Sequence, residues 1–469
     1  MSGVARYSWD RGTSRYSVLG MAYRNRWNAS DQIPQRAVDN GSIGRFGFID
    51  ETDGGSTQRY SISGDWTRLG GRSTQKAAVF AIYSDLSLFS NFTYFLGNPE
   101  RGDQFNQRER RTVIGANLSH AQQIDVLGID HSVTVGAQAR SDFLSPVGLY
   151  RTERRTRYET VRRDDVTETG TGVFVEAQSR WRPWLRTTVG IRGDAFTFDV
   201  ASNRPENSGT KTAAIASPKA SIAFAPGRNT ELYLSGGLGF HSNDARGTTI
   251  TVDPVTGDPA ERVDPLVRSR GAEVGLRANP LPGFRSTLAV WALELDSELL
   301  FIGDGGATEP SDRSRRSGVT FANFYRPIPQ LSLDADVSFS RGRFVDVPSA
   351  GDHIPGALER VVTAGVTWNN VGATGPFGAL RARHFGAYPL IEDNSVRAKG
   401  TTLLNADVGF FVRGARVQLT MMNLLDERAN DIQYFYESRL SGEAGGGTSD
   451  IHFHPVEPRQ ARISLSWGL

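Results

Sequence analysis

The chain has 469 residues, no cysteine, and a net charge of +2 from 53 basic and 51 acidic residues. The missing cysteines exclude disulfide frameworks, thiolate zinc sites and cysteine nucleophiles, and the near-neutral balance points to no nucleic-acid partner. Hydrophobic residues are only 38 % while glycine reaches 51 positions, against a usual share of ~7 %. That mixture argues against an α/β enzyme built on a sheet buried on both faces.

The opening residues, MSGVARYSWDRG, contain no apolar core of a secretory signal. The longest uncharged apolar run, Ala77 to Tyr83, falls far short of the ~20 residues of a membrane-spanning helix. Alternation with a period of two is the main signal and recurs from end to end. Val133, Val135, Ala137 and Ala139 alternate with Ser132, Thr134, Gln138 and Arg140. Leu185, Val189, Ile191 and Ala195 share one face of the next segment, with Arg186, Thr188, Arg192 and Asp194 on the other. Leu232, Leu234, Leu238 and Phe240 stand against Tyr233, Ser235, Gly237 and His241. Between residues 331 and 340, Leu331, Leu333, Ala335, Val337 and Phe339 alternate strictly with Ser332, Asp334, Asp336, Ser338 and Ser340. Leu404, Ala406, Val408, Phe410 and Val412 alternate with Asn405, Asp407 and Gly409. Each pattern predicts a strand with one apolar and one polar face.

Short and long connections alternate as regularly. Tight links are expected at 182–184, 226–229, 279–283 and 413–415. Long polar stretches are expected at 30–55, 96–107, 146–167, 200–210, 242–265, 303–316, 345–358, 389–400 and 427–457. Turns at one end and loops at the other mark an outer-membrane barrel, whose ~25 Å apolar band is crossed by tilted strands. In lipid every backbone polar group needs an internal partner, so such a sheet closes on itself. We count about eighteen strands from Tyr16 onward plus a partial one near Ala5–Trp9. The last runs from Ala461 to Leu469 with Ile463, Leu465, Trp467 and Leu469 outward. Tyr23, Trp27, Trp181, Trp184, Trp291 and Trp467 fall near strand ends or outward positions, where interfacial anchoring is expected.

Several strings resemble the barrel domain of TonB-dependent outer-membrane receptors: residues 27–37 (WNASDQIPQRA), 92–95 (FTYF), 102–107 (GDQFNQ), 239–246 (GFHSNDAR), 268–275 (RSRGAEVG) and 423–426 (NLLD). They run from about residue 20 to the end. The resemblance implies an all-β, large antiparallel transmembrane barrel over 1–469, with 18–20 of a probable ~22 strands. A full family member also carries a signal peptide, a segment that contacts TonB and a globular plug. None is recognisable here, so an N-terminally truncated barrel domain, unable by itself to perform coupled transport, is expected. The implied function is TonB-energised uptake of a scarce, bulky ligand, such as a ferric siderophore, a cobalamin-like compound or an oligosaccharide. The implied partners are the outer-membrane bilayer of a Gram-negative cell and the TonB complex. A plugless diffusion porin and a soluble all-β binding protein are the alternatives.

Candidate ligand contacts lie at the extracellular rim: Phe92, Tyr94, His241, Asn243, Asp244, Arg246, His452 and His454. Each also fits a plain structural role in the rim. His452 and His454 are spaced to share a face of a strand, but no third metal ligand accompanies them, so neither a metal nor a cofactor is expected. Arg192, Asp194, Asp334, Asp336 and Asp407 are expected on the lumen wall, facing a plug or water. No GxSxG, phosphate-loop or HExxH motif occurs, so an enzyme is not expected.

Overall fold

The computed structural model describes all residues except 298, 303–306, 370, 371, 373, 413, 468 and 469, and only the backbone of 299–302 and 307–310. Nineteen strands form one sheet. They are β1 Ser2–Arg11, β2 Ser14–Asn28, β3 Gly54–Leu69, β4 Ser73–Ser90, β5 Phe105–Val126, β6 Ile129–Glu153 and β7 Thr156–Arg182. Then come β8 Leu185–Ser202, β9 Gly209–Gly227, β10 Thr230–Ser242, β11 Leu266–Ala278, β12 Phe284–Leu295 and β13 Ser314–Ile328. The last six are β14 Leu331–Phe344, β15 Arg360–Trp368, β16 Gly375–Phe385, β17 Thr401–Val412, β18 Ala415–Met422 and β19 Gln460–Trp467. Every strand pairs antiparallel with the next in sequence, from Ser2↔Tyr23 at the start to Ala415↔Trp467 at the end. Among the described residues no ladder joins β1 to β19. With an odd number of strands these two run in the same direction.

The period-two pattern sorts the chain into two faces as expected. Val79, Ile114, Val173, Ile191, Leu234, Val290, Phe339, Val408 and Leu465 stand exposed on the outer face, Val173 at 64 % and Leu465 at 59 %. Water would make such a continuous apolar surface costly, at ~25 cal/mol per Å²; a lipid environment removes that cost. Six of the eight tryptophans (Trp9, Trp66, Trp181, Trp184, Trp368 and Trp467) ring the outer face at the short-turn end. Trp9 stacks between Tyr7 and Tyr16 at 5.4 and 5.2 Å, and Trp184 meets Phe224 edge-on. This is an interfacial girdle. Tyr23, Trp27 and Trp291 depart from the expectation of outward placement. They lie in the inward register, Trp291 directly across from Gly318 and within hydrogen-bond reach of the inward Thr320.

The high glycine content has a lumen-side cause. Inward glycines lie directly opposite large inward side chains: Gly115 faces Phe80, Gly136 Phe174, Gly170 Phe196, Gly275 Tyr233, Gly318 Trp291 and Gly409 Phe377. A Cβ at any of these glycines would come within 2.6 Å of the ring opposite. Each ring therefore lies flat over a bare backbone, covering it without filling the lumen.

The stretch 146–167 corrects the loop expectation. It continues β6 and β7 as a projecting hairpin turned by Arg154 and Arg155 alone, both with positive φ (47° and 66°). Arginine is an unusual choice for such a turn, and tertiary contacts hold it. The Arg155 backbone N–H donates to Gln104 Oε1 (2.8 Å) and its guanidinium to the Asp53 carbonyl (3.0 Å), while Arg154 pairs with Glu51 (2.8 Å). The tight link expected at 413–415 and the loop expected at 303–316 include residues outside the described set, as does the outward Leu469. At the loop end a small sheet of Ile33–Pro34, Thr448–Pro455 and Asn430–Ser438 bridges the loop after β2 and the loop before β19. The rim is thereby tied across the seam that the strands leave unpaired.

Candidate functional site

The expected lumen residues all face inward, on two separate walls. On β8, Arg192 pairs with the buried Asp194 at 2.6 Å and donates to Gln138 Oε1 at 2.8 Å. Gly172 on β7 makes the room, since a Cβ there would lie 2.2 Å from the Arg192 guanidinium. On the opposite strands Asp334 faces Arg381 (3.6 Å), Asp336 accepts from Thr363 (3.4 Å), and Asp407 accepts from Gln418 and Thr420 (2.6 Å each). Each carboxylate is met by a polar neighbour: Asp194 by Arg192 on its own strand, Asp336 and Asp407 by side chains of the next strand, and Asp334 by Arg381 two strands away.

Above Arg192 the wall becomes more highly charged. Asp142 binds Arg140 (2.6 Å) and Arg111 (3.6 Å), Arg111 binds Glu109 (3.1 Å), and Arg162 binds the buried Asp164. The loop after β10 delivers Asp244 and Arg246 to this wall. Asp244 caps the short helix Ala245–Thr249 by accepting from the Arg246 N–H (2.9 Å), and the Arg246 guanidinium folds back onto the same carboxylate at 2.7 Å. Burial alone would raise the Asp244 pKa, but the Arg246 charge and hydrogen bonds, with Arg162 nearby, outweigh it and hold the carboxyl down at about 2. Ala245 anchors the turn in an apolar cluster with Leu144, Val147, Val166, Phe198 and Val200.

Beside this turn lies a cavity of about 1050 Å³ under the loop 243–265. Its lining carries Glu261, Asp264, Asp296, Asp312 and Glu392 against Arg262 and Arg268. Asn243 reaches it while buried, donating to the Asp264 carbonyl at 2.7 Å and leaving its Oδ1 without a partner. His241, one strand step earlier, has a buried Nε2 in the same condition. Of the expected ligand contacts, the structure therefore gathers Asn243, Asp244, Arg246 and His241 at one place.

The others lie elsewhere, and three of them are packed away. Tyr94 is 1 % exposed and donates to the Gln32 carbonyl at 2.6 Å; Phe92 is buried edge-on to Phe105. His452 is fully buried between Ser438 (2.7 Å) and the Asp450 carbonyl (3.0 Å), stacked 3.7 Å from Tyr436. Burial lowers its pKa to about 3, so it is neutral. Tyr94 and His452 pack into the rim sheet and Phe92 packs against the start of β5, so all three are packed side chains rather than a ligand-facing wall. His454 is exposed and pairs with Asp431 at 2.9 Å. Arg36, which lies in the string 27–37 but carries no sign of its role there, ties the first rim segment through its guanidinium and backbone N–H to Glu443 (2.9 Å) and Asp450 (2.8 Å), more than 400 residues away. A lone arginine carries no signal of such a long-range bond.

The strings singled out in the sequence also have a physical role. Asn423, buried with φ 47°, donates to the carbonyls of Glu427 (3.0 Å) and Glu457 (3.1 Å) and accepts from the Glu427 N–H (2.9 Å). Asp426 accepts from the Arg459 N–H at 3.0 Å. Together they close the base of the long final loop, so the NLLD string is a loop clamp. The model of the family described as TonB dependent receptor-like, beta-barrel, matches residues 3–424. The chain belongs to this family.

Solved receptor barrels agree with the fold. The ferric-catecholate import receptor Fiu of Escherichia coli superposes with a TM-score of 0.77 at 12 % identity, over 99 % of this chain and 74 % of its own. The ferric citrate transporter FecA gives 0.77 at 12 %, over 99 % and 69 %. The ferric yersiniabactin uptake receptor FyuA of Yersinia pestis gives 0.75 at 13 %, over 99 % and 70 %. No curated protein matches the chain in sequence. In this receptor barrel the lumen carries ladder-paired charges from strands on both walls, and among the described residues the helical elements are confined to short rim segments.

Proposed function

We propose that this receptor barrel takes part in TonB-energised uptake of a scarce, bulky ligand across the outer membrane. The observation that carries the reading is the cavity beside Asn243 at the loop end of the lumen. Its volume of about 1050 Å³ lies just above the ~300–1,000 Å³ of sites that enclose small molecules. It opens above a wall of charged side chains rather than an apolar one, as a path for a hydrated ligand requires. Family membership and the iron-transporting relatives make a ferric siderophore the first ligand class to test. Five carboxylates against two guanidinium groups in the lining favour a neutral or cationic complex over a polyanionic one.

The test is uptake of radioactive iron by cells making this barrel joined to the plug and TonB-contact segment of a family member, supplied in turn as neutral hydroxamate, cationic and anionic catecholate complexes. Saturable uptake of the neutral or cationic complex that stops when the proton-motive force is collapsed is the expected result. Uptake that is linear in concentration and insensitive to de-energisation would establish a diffusion pore instead.

A further inference from the structure

On the outer face of β2–β5, the strand pairings align two polar rows across four neighbouring strands at the loop end. One row reads Arg24–Gln58–Asp85–Arg110, and the row above it Arg26–Ser56–Ser87–Arg108. Register fixes the face. Two rows nearer the turns the same alignment gives Gly20–Ile62–Ala81–Ile114, with Ile62 58 % and Ile114 48 % exposed. Between them lies Ala22–Tyr60–Tyr83–Thr112, whose two tyrosine rings stack at 6.4 Å. Aromatic rings between an apolar band and charged rows mark the edge of the hydrocarbon. The arginine rows therefore stand level with the lipid headgroups.

The charge in these rows is one-sided: four guanidinium groups accompany a single carboxylate. Asp85 binds Arg108 (2.7 Å) and Arg110 (3.5 Å) and holds both against the sheet. Arg24 and Arg26 are exposed and form no ion pair among the described residues. The patch ends at β6, where Phe143 follows Thr112 and Ser145 donates to Asp165 at 2.7 Å. With strands ~4.8 Å apart, the arginines of β2 and β5 are separated by about 14 Å. The amide of Gln58 and the hydroxyls of Ser56 and Ser87 lie between them. Paired arginines suit phosphate oxygens, and the polar side chains between them suit the hydroxyls of a sugar. A free phosphate would use one arginine pair and none of the apolar face beneath; a lipid uses both.

We propose that this patch binds a phosphorylated glycolipid of the outer leaflet. Its phosphates rest on the Arg24–Arg26 and Arg108–Arg110 pairs, and its acyl chains run down the outer face along Ile62, Val79 and Ile114. The site lies on the lipid side of the wall and is independent of what the lumen carries.

The experiment is a native mass-spectrometric titration of the detergent-purified chain with diphosphoryl lipid A, its dephosphorylated form, and inorganic phosphate as competitor. One saturable site for diphosphoryl lipid A is expected, with the dephosphorylated lipid at least tenfold weaker and no displacement by a tenfold excess of inorganic phosphate. Each arginine removed should weaken binding about fivefold, so Arg24→Gln with Arg26→Gln should cost about 25-fold. Both positions are exposed, so the variant keeps its fold, and Arg24→Lys with Arg26→Lys should retain most of the affinity. Arg285→Gln with Arg383→Gln, a matched loss of charge in the inward register of β12 and β16, should change nothing. Equal binding of lipid A with and without its phosphates overturns the proposal. Equal binding by the wild-type chain and the Arg24/Arg26 glutamine variant overturns it as well. Displacement by inorganic phosphate would show an anion site in place of a lipid site.

Discussion

Replacing Phe198 by alanine tests whether the Asp244–Arg246 turn is held in the lumen by packing. Phe198 is completely buried, stacked on Phe196 at 6.0 Å and packed with Leu144, Val147, Val166 and Val200 from the strands and Ala245 from the loop. A Phe→Ala change in such a site costs about 3–5 kcal/mol. The strand ladders of β7, β8 and β9 are backbone bonds and survive the change. Ala245 is the one buried cluster member contributed by the turn, so about 1–2 kcal/mol of the cost falls on its docking, a roughly 5- to 30-fold rise in the undocked fraction. Limited trypsin digestion of the detergent-solubilised protein, read at Arg246 and Arg262, measures that fraction. Cleavage should accelerate by about that factor while the barrel keeps its heat-modifiable migration. Equal cleavage rates in wild type and variant, with the barrel intact, would refute the packing argument.

The remaining predictions concern the lumen, the rim and the loop clamp. Gly136→Leu drives a side chain into Phe174, whose ring would lie 2.4 Å from the new Cβ. It should lower stability by about 1–3 kcal/mol in a urea unfolding titration, and the added change Phe174→Ala should restore part of the loss. The two rim loops should respond to pH in opposite senses. Burial raises Asp31 to about 6 and Asp53 to about 9, so both bind protons more tightly folded than unfolded and the loop 29–53 loses stability as pH rises from about 4 to about 9. Asp244, held down at about 2, stabilises its turn above the ordinary carboxylate range and loses that contribution as pH falls toward 2. Nitroxide labels at Ser42 and Val255 in the cysteine-free chain should show the first loop loosening in base and the second in acid; parallel responses would contradict the assignment. Asn423→Ala removes three hydrogen bonds at the base of the last loop and should raise proteolysis between residues 427 and 457 several-fold with the strands unaffected.

The strands and their faces were legible because a period of two is a local signal. Ile191 and Arg192 announce opposite faces from adjacent positions, and the structure places them so. The long stretch 146–167 was misread because its charges resemble a solvated loop. It is a hairpin held by contacts of Arg154 and Arg155 with residues about 50 and 100 positions earlier, which no local pattern encodes. Trp291 was misplaced for a related reason: its inward position depends on a bare glycine at 318 on the neighbouring strand. Among the site residues, Asn243 and Arg246 could be found from their string, whereas Tyr94 and His452 are polar residues used as core. Their burial arises where the two ends of the chain meet at the rim.

The central claim is that one face of the sheet meets lipid while the other lines a polar lumen, and the absence of native cysteine makes it directly measurable. Single cysteines at Val189, Ile191, Arg192, Ala195 and Thr188 in outer-membrane preparations can be challenged with a charged maleimide, with a bimane label quenched by brominated lipid as the complement. Positions 188 and 192 should react with the charged reagent, and 189, 191 and 195 should be protected from it but quenched by lipid. Equal reactivity on both faces, or quenching without alternation, would contradict the account.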